Sequence, residues 1–176
     1  MRYLPNGKQM SEADAHTIHE IGIPSLVLME RAALQIVETM HKKNISTEKS
    51  LIVCGSGNNG GDGFAVARLL TEQGKHADVL FAGKEASLSE ECRCQKQIVE
   101  NMGISVFTEF PDEEYTVIID AVFGVGLCRE ITGHYKDVID WMNLQDTEKV
   151  AVDIPSGICA ATGEILGTAF RADLSV

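Results

Sequence analysis

The feature that most constrains this chain is a change of hydrophobic period after residue 50. From there, short apolar runs rich in β-branched residues fall at 51–54, 77–81, 104–107, 117–119 and 150–152. Segments of helical period at 64–73, 88–102 and 135–142 separate most of them. Runs this short and continuous suit strands buried on both faces, and helices between them suit a parallel sheet with crossovers. Gly74 and Gly103 stand where helices end in a left-handed residue, and Ser87 with Glu90 reads as a capping box. Upstream, Ser11 with Asp14 reads as the start of a first helix, which Gly22-Ile23-Pro24 breaks. Ser25 can cap a second helix, whose Met29, Ala33, Ile36, Val37 and Met40 share one stripe, either core or a dimer face. There is no internal repeat, linker or low-complexity tract. The expected fold is α/β, a three-layer αβα Rossmann-like sandwich with a mostly parallel sheet and a helical N-terminal extension, one domain over residues 1–176. Ala172-Asp173-Leu174-Ser175-Val176 reads as the opening of a further strand, so a domain cut short at its C-terminus is expected.

Composition narrows the function classes. The 176 residues are 44% hydrophobic, enough for one core. Against 15 Lys and Arg stand 26 Asp and Glu, a formal net charge of -11, which argues against nucleic acid or an anionic membrane as partner. No apolar run reaches the ~18 residues of a bilayer span, and the first residues lack a signal-peptide core. Five cysteines, Cys54, Cys92, Cys94, Cys128 and Cys159, read as free thiols in a reducing cytoplasm.

In open parallel sheets ligands bind beyond the carboxyl ends of the strands. Three such ends carry unusual polar residues. Gly55-Ser56-Gly57-Asn58-Asn59-Gly60 fits G-x-G-x-x-G between strand and helix, suited to a phosphate at a helix N-terminus or simply to a tight turn. Asp62 puts a carboxylate at the helix mouth, where it could also be an N-cap. A dinucleotide-binding Rossmann site wants an acidic residue at the end of the second strand, and Ala82-Gly83-Lys84 stands there instead. Asp120 ends a second strand ahead of Gly124, Gly126 and Arg129. Asp153 ends a third, ahead of Pro155-Ser156-Gly157. Each alone could be an ordinary turn. Together they describe an oxygen-rich pocket facing backbone N–H groups, suited to a phosphorylated ligand and a hard cation.

The motifs Gly55-Ser56-Gly57-Asn58-Asn59-Gly60-Gly61-Asp62-Gly63, Asp120-Ala121-Val122-Phe123-Gly124-Val125-Gly126-Leu127-Cys128-Arg129 and Val152-Asp153-Ile154-Pro155-Ser156-Gly157 resemble the NAD(P)H-hydrate epimerases, the YjeF N-terminal domain proteins. The resemblance extends to Gln9-Met10, Asp14, Gly22-Ile23-Pro24 and Leu28-Met29-Glu30-Arg31-Ala32. It implies that Asn58, Asn59, Gly60, Gly61 and Asp62 bind the hydrated nucleotide, with Gly124, Val125, Gly126, Leu127, Cys128, Arg129, Glu130 and Asp153. It implies a potassium ion held by Asn59, Asp120 and Ser156. It further implies a homodimer and a partner dehydratase that returns the S form to NAD(P)H at the expense of a nucleotide tri- or diphosphate. Where relatives often place Ser-Arg-Pro, this chain has Cys128-Arg129-Glu130.

The implied reaction interconverts the R and S epimers of NADHX and NADPHX, inverting the hydroxyl-bearing ring carbon beside nitrogen. Expulsion and return of water need a general acid that becomes a base. Asp153 is the expected proton carrier, with Asp62 second. The competing readings are a scaffold domain of the same fold and a nicotinamide-dependent oxidoreductase, the latter weakened by the missing ribose clamp. Cys92 and Cys94 are too close for usual zinc spacing, His16 and His19 read as solvated, and Trp141 as packing.

Overall fold

The computed structural model describes residues 7–176. The helix α1, Gly7–His16, runs into one π-type turn, Thr17–Ile21, and stops at Gly22 with φ +83°. There follow α2 (Ser25–Lys42), β1 (Lys49–Cys54), α3 (Asn58–Glu72), β2 (His76–Phe81), α4 (Glu90–Asn101) and β3 (Val106–Phe107). The second half holds β4 (Val117–Ala121), α5 (His134–Leu144), β5 (Glu148–Ala151) and β6 (Leu174–Ser175). The strands form one sheet in the order β3-β2-β1-β4-β5-β6, parallel at every pairing. The order reverses between β1 and β4, the switch point where such sheets open a crevice. The tail at 172–176 does enter a strand, β6, beside β5.

Strand alternation divides the core. Ile52, Cys54, Val79, Phe81, Ile119 and Ala121 face α2, α3 and α4, while Leu51, Val53, Leu80 and Ile118 face α5. This is the three-layer αβα arrangement expected. The stripe Met29, Ala33, Ile36, Val37 and Met40 is the buried face of α2, and Arg68 of α3 pairs with Glu30 of α2 and with Glu72. Trp141 stacks on Phe110 at 4.9 Å, as packing. Gly74 and Gly103 follow their helices at φ +79° and +74°.

Several boundaries differ from expectation, each for a local reason. Among the described residues α1 already runs from Gly7, four residues before Ser11, since Lys8, Gln9 and Met10 are ordinary helix formers. Ser25 does not cap α2. Pro24 holds that position, and Ser25 Oγ instead donates to Glu91 Oε1 at 2.6 Å, tying α2 to α4. The cap of α4 is Ser89, whose Oγ accepts Cys92 N–H at 3.2 Å, while Ser87 Oγ donates to Lys84 O at 3.0 Å in the preceding turn. Helix α3 begins at Asn58 rather than at residue 64, so Asp62 lies in its second turn and is not a cap. Asp120 lies within β4, and Asp153 two residues past β5.

One buried group in this frame is uncompensated. Gln95 of α4 is 4% exposed, and its Oε1 meets no hydrogen-bond donor among the described residues. A buried acceptor without a donor costs about 1–3 kcal/mol. Gln95→Leu is therefore expected to stabilise the fold by about 1 kcal/mol, read as a raised midpoint in equilibrium urea unfolding. A lowered midpoint contradicts it.

Candidate active site

The floor of the site is set by register. Cys54 pairs with Ala121, and Gly55 N donates to Ala121 O at 3.0 Å. The two chains leave the sheet so close that a Cβ on Gly55 would sit 2.2 Å from Val122 O. One turn on, a Cβ on Gly60 would sit 2.0 Å from Gly55 O, so α3 starts in contact with the strand end beneath it. Its N-cap, Gly57, has no side chain to satisfy the first turn. The leading N–H groups of α3 therefore lack intrahelical acceptors and stand at the edge of the crevice. The crevice is a cavity of about 770 Å³. Its lining includes Gly57, Asn58, Asn59 and Asp62 of α3, the segment 122–129, Asp153, and Ser11 and Asp14 of α1.

Below the cavity lies a buried polar knot. Asp120 Oδ1 accepts Ser156 Oγ–H at 2.6 Å and Val122 N–H at 3.1 Å, and Oδ2 accepts Ser156 N–H at 2.7 Å. Ser156 Oγ in turn accepts Phe123 N–H at 2.8 Å. Burial pushes the Asp120 carboxyl up to about 6; the bonds from Ser156 and Val122 hold it down, and Asp153 adds a further upward push. This knot ties β4, the 122–129 loop and the Pro-Ser-Gly turn into one unit.

The acids facing the cavity are unlike one another. Burial pushes the Asp62 carboxyl up to about 7, with Asp153 and then Asp14 repelling its charge further. Asp153 Oδ2 accepts Val125 N–H at 3.0 Å. A Cβ on Gly124 would lie 2.5 Å from Asp153 Oδ2 and 3.2 Å from Asn59 Oδ1, so this glycine lets the two side chains converge. The arrangement keeps the Asp62 carboxyl partly protonated near pH 7 on a cavity that Asp153 also lines, which is what a proton-transferring pair requires.

The structure brings together most of the residues singled out by sequence on one cavity wall, with five exceptions. Gly60 and Gly61 are buried on the inner side of α3, Gly61 against Met29, and shape the site by close approach rather than by lining it. Glu130 lies in an adjoining cavity of about 240 Å³ with Arg129, Phe123 and Tyr135, whose rings meet at 4.8 Å. Asp120 and Ser156 are beneath the cavity, 1% exposed each. Arg129 is exposed and carries no ion pair among the described residues, leaving its guanidinium available to an anion. Sequence reasoning gave Ser11, Asp14, Ser56 and Phe123 no role of their own in the site, reading Ser11 and Asp14 as the start of the first helix. A signal for α1 existed, since a helix with no apolar stripe has little to do in a core. No residue of α1 is buried.

Beyond β2 the crevice is shut. A Cβ on Gly83 would lie 2.8 Å from Ser56 N, and Ser56 O accepts Ser89 N–H at 2.9 Å. A dinucleotide laid across β1 and β2 in the Rossmann manner would find neither the acidic clamp nor the room.

Among the described residues, no cluster of three His, Cys, Asp or Glu side chains is arranged for a metal. The oxygens around Phe123 and Gly124 make a different donor set. Asn59 borders Gly124, its amide has no hydrogen bond among the described residues, and Ser156 and Asp120 are joined beside Phe123. One carboxylate, one hydroxyl and one amide oxygen suit a hard monovalent cation better than a zinc-like metal.

The family model for the YjeF-related protein N-terminus matches residues 25–176. The NAD(P)H-hydrate epimerase of Weissella koreensis (strain KACC 15510) is 42% identical over 169 residues, 96% of this chain and 76% of that protein. The NAD(P)H-hydrate epimerase of Limosilactobacillus reuteri (strain DSM 20016) is 44% identical over 175 residues, 98% of this chain and 82% of its own. Among solved structures, yeast ynu0, YNL200c, superposes with a TM-score of 0.85 at 20% identity, covering 99% of this chain and 79% of that one. At that identity the likeness speaks for the fold alone.

Proposed function

This chain belongs to the family of YjeF-related protein N-termini, and we propose that the cavity between α3 and the 122–129 loop is its active site. The chain is an isomerase that interconverts the R and S epimers of hydrated NADH and NADPH. The observation that carries the assignment of the site is the Asp62–Asp153 pair on the wall of one cavity, the Asp62 carboxyl raised to about 7 by burial and then by the charge of Asp153.

In the proposed sequence, Asp62 in its neutral form donates its proton to the hydroxyl on the ring carbon. The carbon–oxygen bond breaks, water leaves, and the lone pair of the ring nitrogen takes up the positive charge as an iminium. The carboxylate of Asp153 stabilises that charge. A water then adds to the opposite face, its oxygen bonding to carbon while its proton passes to Asp153. Reversal uses Asp153 as acid and Asp62 as base. This reverses the order expected from sequence, in which Asp153 came first. The phosphates belong at the leading N–H groups of α3 and at Arg129, which offer donors on the wall of the same cavity.

A potassium ion held by Asn59, Asp120 and Ser156 would supply fixed positive charge beneath the loop and offset the crowded carboxylates. Ser156→Ala is expected to raise the potassium concentration giving half-maximal rate by roughly tenfold or more. The readout is the conversion of pure S epimer to R, followed by chromatography across a potassium series at constant ionic strength. A rate indifferent to potassium in the parent protein would remove the ion from the account.

The wider setting is proposed on the same footing. The product feeds a dehydratase that acts on one epimer. A homodimer is supported by Ile21, Leu26, Val27 and Leu34, which stand exposed on the outer side of α2 and the turn before it. Five free thiols suit the cytoplasm. Among the described residues no helix is long and apolar enough to cross a membrane.

A further inference from the structure

We propose that Cys159 and Cys128 form a peroxide-reactive thiol pair whose disulfide closes the mouth of the substrate cavity. The two side chains line one cavity of about 560 Å³, with Lys8 and Ser11 of α1 also in its wall. This cavity adjoins the substrate cavity and shares Ser11, Val125, Gly126, Leu127 and Cys128 with it. Both thiols are free and reachable, Cys128 exposed and Cys159 half-buried. Cys54 and Cys92, by contrast, are buried, and burial holds both thiols above their ordinary value.

Local geometry distinguishes Cys159. Its carbonyl accepts Gly163 N–H at 2.8 Å, its N–H donates to Glu164 O at 2.9 Å, and Ile158 bridges Ile165. Thr162 and then Ala161 in this tight turn lower the thiol's pKa through hydrogen bonding, against burial and the Glu164 charge, which raise it. Backbone donors two and three residues on stabilise a thiolate as a helix N-terminus does, while the Lys8 ammonium in the same cavity is paired with Glu12 at 3.8 Å. Cys128 sits on the opposite strap, two residues after Gly126, whose Cβ position meets nothing within 4 Å. The bond requires the two Cα atoms to come within the ~4.4–6.8 Å that a disulfide spans.

The chemistry balances with a hydroperoxide as oxidant. The Cys159 thiolate attacks one peroxide oxygen, the O–O bond breaks, and the other oxygen leaves as water or alcohol after taking a proton. The sulfenic acid left on Cys159 is attacked by the Cys128 thiol, forming the S–S bond and releasing water. Two thiols lose two electrons and the peroxide gains them. The bond fixes the 122–129 loop to the turn at 159–163 across the route to Asp62 and Asp153. That consequence rests on the proposed active site; the bond itself does not.

The test treats the reduced full chain with hydrogen peroxide. Linkages are mapped by non-reducing peptide mass spectrometry, and the epimerisation rate is followed in parallel. The expected result is an intramolecular Cys128–Cys159 linkage with kcat/KM lowered by roughly tenfold or more, restored by dithiothreitol. Cys159→Ser is expected to keep the rate of the reduced protein and to lose its response to peroxide. A map without the 128–159 linkage overturns the pair, and a linked protein with undiminished kcat/KM overturns the closure. Absence of any epimerase rate before oxidation overturns the active-site reading and the closure with it, while the map still decides the pair.

Discussion

Asp62→Asn is expected to lower the epimerisation rate by about 10²–10⁴-fold, with KM changed only a few-fold, and to raise thermal stability above pH 7. The first effect follows from removing the proton that leaves with the hydroxyl, since asparagine keeps the shape and cannot ionise. The second follows from linkage. Burial, Asp153 and Asp14 hold the folded-state pKa of Asp62 near 7, above its ordinary 3.8. Between those values the folded protein keeps a proton that the unfolded chain has released, so stability falls as pH rises through that window. The penalty is fully present above pH 7 and absent below pH 4. Asparagine carries none of it. Asp120, pushed up to about 6, titrates in the same window. Only the difference between parent and variant isolates Asp62, and unfolding midpoints at pH 5 and pH 8 supply it. A midpoint difference that stays the same at both pH values would show that Asp62 is not held neutral by the fold.

Gly60→Ala sets two physical effects against each other. Helix propensity favours alanine over glycine by about 1 kcal/mol. Close approach opposes it, because the new Cβ would lie 2.0 Å from Gly55 O and 2.7 Å from Gly55 C, both backbone atoms that cannot swing away. Overpacking against backbone costs about 3 kcal/mol or more, so destabilisation is expected to win and to take the proposed site with it. Gly126→Ala is the control, since a Cβ there meets nothing within 4 Å. It is expected to shift stability by less than ~0.5 kcal/mol. Urea unfolding of both variants checks the pair, and a stabilised Gly60→Ala would mean that α3 does not rest on the strand end as described.

These contrasts show where the sequence was informative. The strands were legible because residues 51–54, 77–81 and 117–119 are buried on both faces, which forces continuous apolar runs. The left-handed ends at Gly74 and Gly103 were legible because only one residue type fits them well. The start of α3 was not. Gly60, Gly61 and Gly63 have poor helix propensity and are helical because backbone, Met29 and Ala121 leave no space for side chains there. That is a tertiary cause, invisible in a local window. The same holds for the acids. Asp62 and Asp153 were both visible as candidates, but the proposed order of their roles depends on the burial of Asp62 and on its neighbours Asp153 and Asp14, which no spacing encodes. The covering of the cavity by Ser11 and Asp14 of α1 was missed because a polar helix reads as surface until something is found beneath it.

The most direct test of the central claim is a coupled assay. A mixture of R and S NADPHX is given an S-specific dehydratase with its nucleotide, and the recovery of NADPH absorbance is followed with and without this protein. Without it, the S fraction should be consumed quickly and the rest should wait on slow spontaneous epimerisation. With it, recovery should run to completion in one phase, and Asp62→Asn should restore the lag. A slow phase that persists unchanged at every concentration of the parent protein would contradict the account.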